Sequence, residues 1–241
     1  MRRPVPLPER IQADVAALVT TAKTSLASTQ TSIRRAVDAA TTSVPAILED
    51  LGAFASRDAA AHADPQYIYE SYLSFHALLA HRVAHAVYRM ETATSHRRPA
   101  GGNASAARLI SEIAKARTGV EIHPAATIGQ RMIIDHGWGT VIGEHATLGD
   151  DCYILQNVVL GCRHIRAVPD NHQRRHPAIG NRVTIAGDVC IFGPVSVGDD
   201  CRIDAGARVT TDVPAASHVR VRTRLQVVRS DSPPATRPPW R

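Results

Sequence analysis

Aromatic residues are scarce in this chain. They make up 4% of its 241 residues, although hydrophobic residues as a whole make up 44%. Sandwich folds and doubly wound sheets usually pack more rings, so a core of small and aliphatic side chains favours a regular stacked architecture. The length suffices for one large domain or two small ones.

Long apolar runs are also missing. No stretch approaches the roughly 20 apolar residues that cross a bilayer. Met1, Arg2 and Arg3 precede prolines and a polar stretch, which is unlike a signal peptide. We therefore expect a cytoplasmic protein that does not bind membranes.

The four cysteines show no CxxC spacing. This absence argues against a zinc knuckle and against a redox pair. Structural thiols are the better interpretation, with Cys152 and Cys201 at small core positions.

Acidic residues nearly disappear at the C-terminal end of the sequence. From His218 onward six arginines stand against one acid, Asp231. Such a run is either a solvated basic tail or a surface that attracts a polyanion. Nucleic acid is not expected, because no recognition-helix or aromatic-plus-basic pattern is present.

The first half of the chain is alanine-rich and has helical periodicity. It predicts helices over residues 8–40, 44–56, 66–93 and 104–117. The third of these presents an amphipathic packing face, formed by Leu73, Leu78, Val83 and Val87.

After residue 119 the pattern changes to a six-residue repeat. An aliphatic residue recurs in phase thirteen times, and at ten of these places a small or modest residue stands two positions earlier. The aliphatic residues are Ile122, Ile128, Ile134, Ile142, Leu148, Ile154, Leu160, Ile179, Ile185, Ile191, Val197, Ile203 and Val209.

Such a period has a physical cause. Each hexapeptide forms a short strand and a tight corner, and three of them close a triangular coil whose interior takes the aliphatic residue. Glycine, asparagine or aspartate suits the corner, where positive φ is needed. The sequence therefore predicts an α+β protein: an α-helical domain (1–118), a left-handed parallel β-helix (119–215) and a basic, proline-rich tail (216–241).

The repeat is interrupted twice, and insertions in a solenoid become loops on one face. Trp138 and Gly139 add two residues after Asp135 and His136. A longer loop spans residues 161–177.

An acid and a histidine fall in the same predicted coil. Glu121 and the pair Asp135 and His136 are expected to lie close enough for a carboxylate to meet an imidazole. A histidine oriented by a carboxylate makes a general base for a hydroxyl near neutral pH. The alternative is that His136 is a corner residue with a satisfied hydrogen bond.

Short motifs occur in a fixed order along the chain. In the repeat region they are 122–126 (IHPAA), 134–137 (IDHG), 141–144 (VIGE), 154–156 (ILQ), 159–161 (VLG) and 175–177 (RHP). In the helical half they are 57–60 (RDAA) and 75–85 (FHALLAHRVAH). In these motifs the chain resembles the serine O-acetyltransferases, within the hexapeptide-repeat acyltransferases, and the resemblance covers roughly residues 45–215.

The resemblance implies an activity and roles for individual residues. The hydroxyl of L-serine attacks the thioester of acetyl-CoA directly, without a metal, and gives O-acetyl-L-serine for cysteine biosynthesis. His136 is the base, with Glu121 as its orienting carboxylate where the family commonly has aspartate. The residues implied to hold the amino acid are Asp58 (with Asp64 competing for the same position), Asp135, Arg175 and His176.

The resemblance also implies where CoA binds. CoA is expected in a groove between the β-helices of adjacent subunits, which requires a homotrimer or a hexamer built from two trimers. The basic tail offers Arg220 and Arg222 to its phosphates. Small residues that allow close approach are Gly161, Ala186, Gly187, Ala205 and Gly206, although ordinary corner glycines remain the alternative for each glycine.

Two departures from the family concern specificity and partners. The loop 162–174 is longer and more basic than a glycine-rich family loop. It is therefore expected to accommodate an extra carboxylate on the acceptor or acyl group, to contact CoA phosphates, or to be solvated surface. The chain ends at Arg241 and not in the isoleucine that enters O-acetylserine sulfhydrylase, so that complex is not expected.

Three alternatives stay open from the sequence. The first is an acyltransferase of the same fold that uses another hydroxy or amino acid, or another acyl-CoA. The second is a metal lyase resembling the γ-class carbonic anhydrases, since the chain has twelve histidines. The third is a non-catalytic regulatory paralogue.

Overall fold

The computed structural model describes residues 5–92, 102–164 and 174–222. Within them a helical N-terminal region is followed by short parallel strands in three sheets. None of the helices in these ranges is both long and apolar enough to cross a membrane.

The described residues of the N-terminal region, 5–92 and 102–118, contain six α-helices. They are α1 (Leu7–Ser25), α2 (Gln30–Thr41), α3 (Val44–Arg57), α4 (Pro65–Ser71), α5 (Leu73–Thr92) and α6 (Gly102–Thr118). A single 3-10 turn, Ala59–Ala61, lies between α3 and α4. Predicted helices 44–56 and 104–117 match α3 and α6 to within two residues at each end.

Two of the predicted helices are wrong, because each is divided into two helices in the structure. The stretch 8–40 is divided because Ala27 takes a φ of +50°, and Thr29 then caps α2 by accepting a hydrogen bond from the Ser32 amide at 3.3 Å. The stretch 66–93 is divided at Tyr72, whose backbone is extended. The expected face of α5 is buried at Leu78, Val83 and Val87, but Leu73 is 52% exposed because it begins the helix.

Fourteen strands follow within the described residues 119–164 and 174–222. They are β1 (Glu121–Ile122), β2 (Thr127–Ile128), β3 (Ile133–Ile134), β4 (Val141–Ile142), β5 (Thr147–Leu148), β6 (Tyr153–Ile154), β7 (Val159–Gly161), β8 (Ala178–Ile179), β9 (Thr184–Ile185), β10 (Cys190–Phe192), β11 (Ser196–Val197), β12 (Arg202–Ile203), β13 (Arg208–Val209) and β14 (His218–Val219). Strand β14 lies beyond residue 215, where the sequence predicts the tail to begin.

The chain visits the three sheets in turn. The first sheet has the order β1-β4-β7-β10-β13, the second β11-β8-β5-β2, and the third β14-β12-β9-β6-β3, all parallel. Consecutive coils therefore stack in register, for example Val141 on Val159. All thirteen in-phase aliphatic residues are buried in one apolar cluster between the sheets, which confirms the repeat. Cys152 and Cys201 are buried there too, and none of the four cysteines is in a disulfide.

Two edges of this stack carry the residues of interest. We call the turns from the third sheet to the first the base edge; they comprise residues 135–140, 155–158, 186–189 and 204–207. We call the turns from the first sheet to the second the loop edge; its described residues are 123–126, 143–146, 162–164, 174–177 and 193–195.

The helical region is joined to the first coil by a buried ion pair. Arg82 of α5 donates to both carboxylate oxygens of Asp50 in α3, at 2.9 and 3.0 Å. Asp50 also accepts the Met132 amide at 2.9 Å. Arg82 further donates to the carbonyls of Ile128 and Gly129. Helices α3 and α5 are therefore fixed relative to the coil that carries His136.

Candidate active site

His136, the predicted base, lies on the same edge of the stack as the turns 186–189 and 204–207, which are predicted to contact CoA. His136 has a φ of +59° and a side chain that is 71% exposed. Backbone hydrogen bonds stack the successive turns: Asn157 donates to the Trp138 carbonyl at 2.8 Å, Asp188 to Gln156 at 3.1 Å, and Gly206 to Gly187 at 3.0 Å. His136 and four of the residues that the sequence assigns to CoA thus follow one another along this edge, namely Ala186, Gly187, Ala205 and Gly206, whereas Gly161 ends β7 on the first sheet.

The three glycines that the sequence assigns to CoA differ in what surrounds them. A Cβ at Gly187 would lie 2.6 Å from Nε2 of Gln156, whereas Gly206 needs its glycine because its φ is +76°. Gly161 ends β7 and faces the Phe192 ring, which a Cβ would meet at 3.1 Å. Arg220 and Arg222 are exposed, and Arg220 Nε donates to His218 Nδ1 at 3.1 Å. Their roles toward CoA stay predictions.

The expected contact between Glu121 and His136 is not found. Glu121 is an outward residue of β1 and its carboxylate pairs with two cations of α6, Lys115 at 2.5 Å and Arg108 at 3.1 Å. Burial is the largest single influence on the pKa of Glu121 and raises it. The combined effect of Lys115 and Arg108 is larger still, so the pKa lies below its usual value. The carboxylate beside the imidazole is Asp135, with Oδ1 3.7 Å from Nδ1 of His136. Glu121 pairs with α6 because that helix packs beside β1, and the spacing of the repeat contains no information about the position of α6.

The structure separates the roles of Asp58 and Asp64. Asp64 caps α4 by accepting the amides of Gln66 at 2.9 Å and Tyr67 at 3.2 Å. Asp58 accepts the Ala60 amide at 2.9 Å, and after burial its carboxylate is the next cause that raises the pKa of Tyr72. The charge of Asp58 also contributes to the raised pKa of Tyr153. Since Tyr153 donates its hydroxyl to Asp135, Asp58 lies in the vicinity of Asp135.

Arg175 and His176 lie on the loop edge and not beside His136. Arg175 Nη2 donates to Glu144 Oε2 at 2.8 Å. His176 is 7% exposed and its Nδ1 accepts the His145 amide at 3.2 Å, so its Nε2 carries the proton. Burial, followed by the charges of Arg175 and His145, lowers the pKa of His176 to about 4. One chain therefore holds the two halves of the predicted acceptor site on different edges.

The described ends of the long loop are tied to the next coils. Arg163 donates to the carbonyls of Phe192 at 3.3 Å and of Thr210. Arg174 donates to the Pro194 carbonyl at 2.7 Å and to the Ser196 hydroxyl at 3.1 Å. These two arginines fix the two described ends of the loop, whereas residues 165–173, including Arg166 and His172, lie outside the described residues.

Sequence reasoning missed three residues near His136. Trp138 is 70% exposed and its indole lies on Gly119. Tyr153 donates its hydroxyl to Asp135 Oδ2 at 2.7 Å, and the pKa of Tyr72 is raised by burial and by the nearby Asp58 carboxylate. For Trp138 and Tyr153 the sequence did contain a signal, because aromatic residues are rare in this chain. An aromatic side chain at an outward position of a coil does not fill the interior of the stack, so it indicates a contact outside it.

The metal alternative would need a cluster of ligands. Within residues 5–92, 102–164 and 174–222, histidine, cysteine and acidic side chains do not gather into a group of three that could hold a metal ion.

Comparisons with known proteins give a consistent result, although no protein-family model matches the chain. A serine acetyltransferase of Bacillus pumilus (strain SAFR-032) is 38% identical over 171 residues, which cover 71% of this chain and 71% of that protein. A crystal structure of serine acetyltransferase isoform 3 from Entamoeba histolytica, in complex with cysteine, has a TM-score of 0.72 at 26% identity and covers 92% of this chain and 75% of that one. A serine acetyltransferase from Brucella abortus strain S19, in complex with coenzyme A, has a TM-score of 0.71 at 25% identity, covering 92% and 82%.

The relative from Bacillus is similar over most of both sequences, and the two solved structures are similar over nearly all of this chain. This chain belongs to the serine acetyltransferase family.

Proposed function

We propose that this protein transfers the acetyl group of acetyl-CoA to the hydroxyl of L-serine, giving O-acetyl-L-serine and CoA for cysteine biosynthesis. The observation that carries the proposal is the 38% identity to a serine acetyltransferase over 171 residues. Solved family members that contain coenzyme A and cysteine support the two kinds of ligand. The strands wind as a left-handed β-helix, in keeping with three parallel sheets that the chain visits in turn.

The proposed chemistry needs one proton carrier. The imidazole of His136 takes the proton from the serine hydroxyl as its oxygen attacks the thioester carbonyl. The tetrahedral intermediate collapses, and the CoA thiolate leaves and recovers the proton from the imidazolium. Asp58 and Asp135 face the ammonium of serine, whereas Arg175 and the Nε2 proton of His176 face its carboxylate. No covalent enzyme intermediate is required, because a thiolate is already a good leaving group.

The direct test is release of CoA from acetyl-CoA in the presence of L-serine. We expect turnover with this pair to exceed that with other acceptors, such as L-homoserine and L-threonine, and with other acyl-CoA thioesters. A different preferred pair would favour the specialised acyltransferase over a serine acetyltransferase. Absence of turnover with every pair would contradict the proposal and favour a regulatory paralogue.

The site is completed by a second copy of the chain. His136 lies on the base edge and Arg175 and His176 lie on the loop edge, so a threefold arrangement brings one chain's base edge against its neighbour's loop edge. We propose a homotrimer, or a hexamer of two trimers, with CoA in the groove between the subunits. Light scattering is expected to give a trimer or a multiple of it.

Mixed oligomers test this arrangement directly. His136→Ala and Arg175→Ala are each expected to be poorly active alone. If the site uses His136 of one chain and Arg175 of another, co-assembly at equal amounts restores about a quarter of the sites, because each interface draws its two halves independently. If both residues serve within one chain, mixing restores nothing. That result, or an active monomer, would contradict the composite site.

A further inference from the structure

Two phenols and two carboxylates meet where the helical region touches the turn that carries His136. Tyr153, at the start of β6, donates its hydroxyl to Asp135 Oδ2 at 2.7 Å. Tyr72, between α4 and α5, lies close to Asp58, because burial first and the Asp58 carboxylate second raise the pKa of Tyr72 to about 12. Each phenol also lies in the field of the other carboxylate, Tyr72 in that of Asp135 and Tyr153 in that of Asp58. The four side chains therefore form one group.

Tyr153 is held from several sides. Its ring packs against the core of the helical region, and the guanidinium of Arg57 lies 5.2 Å from the ring centroid. Arg57 is fixed in turn by donating to the Asp151 carbonyl at 3.1 Å. The backbones of the two residues are fixed as well, because the Asp135 amide donates to the carbonyl of Ile154, the residue after Tyr153, at 2.8 Å. The phenol oxygen has a defined position relative to Asp135.

The two oxygens of Asp135 therefore have different surroundings. Oδ2 accepts the Tyr153 hydroxyl, and Oδ1 lies 3.7 Å from Nδ1 of His136. The side chain is only 13% exposed, so a donated hydrogen bond offsets part of the cost of removing the carboxylate from water. Burial first, and the bond to Asp135 second, raise the pKa of Tyr153. The phenol thus remains a donor at neutral pH.

We propose that Tyr153 is a positioning residue of the acceptor site, which fixes the Asp135 carboxylate so that its second oxygen faces the ammonium of the amino acid beside His136. The inference rests on the proposed function and adds a residue to it. Tyr153 acts through Asp135 and does not touch the reacting hydroxyl or the thioester. Its loss therefore weakens acceptor binding more than it slows the chemical step.

Tyr153→Phe tests the proposal, because it keeps the ring and removes only the donor. We expect KM for the acceptor to rise about three- to tenfold, which is less than the full effect of losing a hydrogen bond to a charged group, because Tyr153 acts on the acceptor only through Asp135. KM for acetyl-CoA and kcat are expected to stay within about twofold. Tyr67→Phe is the matched control: its ring is 5.7 Å from that of Tyr72, but its hydroxyl makes no hydrogen bond to another described residue. It is expected to leave both KM values unchanged.

A double-mutant cycle separates a positioning role from a general structural one. In an Asp135→Asn background the effect of Tyr153→Phe on KM is expected to disappear, because the group through which it acts has lost its charge. The same rise in both backgrounds, or an unchanged KM in Tyr153→Phe of an active wild type, would overturn the positioning role alone. A wild type without activity on any acceptor would overturn the proposed function and, with it, this inference.

Discussion

Replacing His136 by alanine is expected to lower turnover by about 10²–10⁴, the range of a positioned general base. The imidazole is 71% exposed on the base edge and contributes nothing to the buried cluster, so the fold is expected to persist. The measurement is initial-rate CoA release at saturating acetyl-CoA and L-serine, with assembly checked by light scattering.

The backbone at His136 requires a control, because its φ of +59° is costly for alanine. His136→Asn removes the imidazole but tolerates the left-handed region, and it is expected to lose as much activity as alanine. Arg182→Ala imposes the same backbone change at φ +55° on a turn between the second and third sheets, away from both edges, and is expected to remain active. Activity within a few-fold of wild type in both His136 variants would show that the base is another residue.

The interior of the stack could be predicted from the sequence because it repeats. A hexapeptide period fixes which residues point inward, and each of the thirteen predicted aliphatic residues is buried. The pairing of outward side chains follows no such rule. Glu121 binds Lys115 and Arg108, since helix α6 covers β1, and a pattern local to the repeat contains no information about α6.

The helical region was less predictable for a related reason. Alanine-rich sequence favours helix throughout 8–40, and the break depends on Ala27 adopting a left-handed φ that its residue type disfavours. Packing against α5 and α6 decides where α1 and α2 turn. The Tyr153 to Asp135 bond likewise depends on how the helical region sits on the third sheet, so only the structure reveals it.

The roles of the arginines in the long loop also could not be predicted from the sequence. The sequence makes Arg163 and Arg174 candidates for binding an anionic group, but the structure uses both to bind carbonyls of the following coils. A guanidinium engaged with fixed carbonyls presents fewer free donors to a phosphate or carboxylate. The structure thus favours an anchoring role for these two arginines, next to Arg175 and His176.

Asp50→Ala is expected to cause the largest loss of stability of any single substitution considered. Asp50 is 1% exposed, and its removal leaves the Arg82 guanidinium buried without its carboxylate and the Met132 amide without its acceptor. Breaking a buried pair from one side costs about 3–5 kcal/mol. For a chain of this size that corresponds to a fall in Tm on the order of 10 °C. Thermal unfolding followed by circular dichroism, at one fixed protein concentration, measures it.

Two comparisons make this result specific to the buried pair. Glu70→Ala breaks an exposed pair with Arg10 whose atoms are 2.7 Å apart, and it is expected to change Tm only slightly. Replacing both partners, with Asp50→Leu and Arg82→Met, is expected to recover much of the loss, because no unpaired charge remains buried. If Asp50→Ala were as mild as Glu70→Ala, the pair would not be what holds α5 against the first coil. Since α5 begins with Leu73 and Ser74, and Ser74 contacts Gly137 beside His136, the folded fraction of Asp50→Ala is also expected to bind the acceptor less tightly.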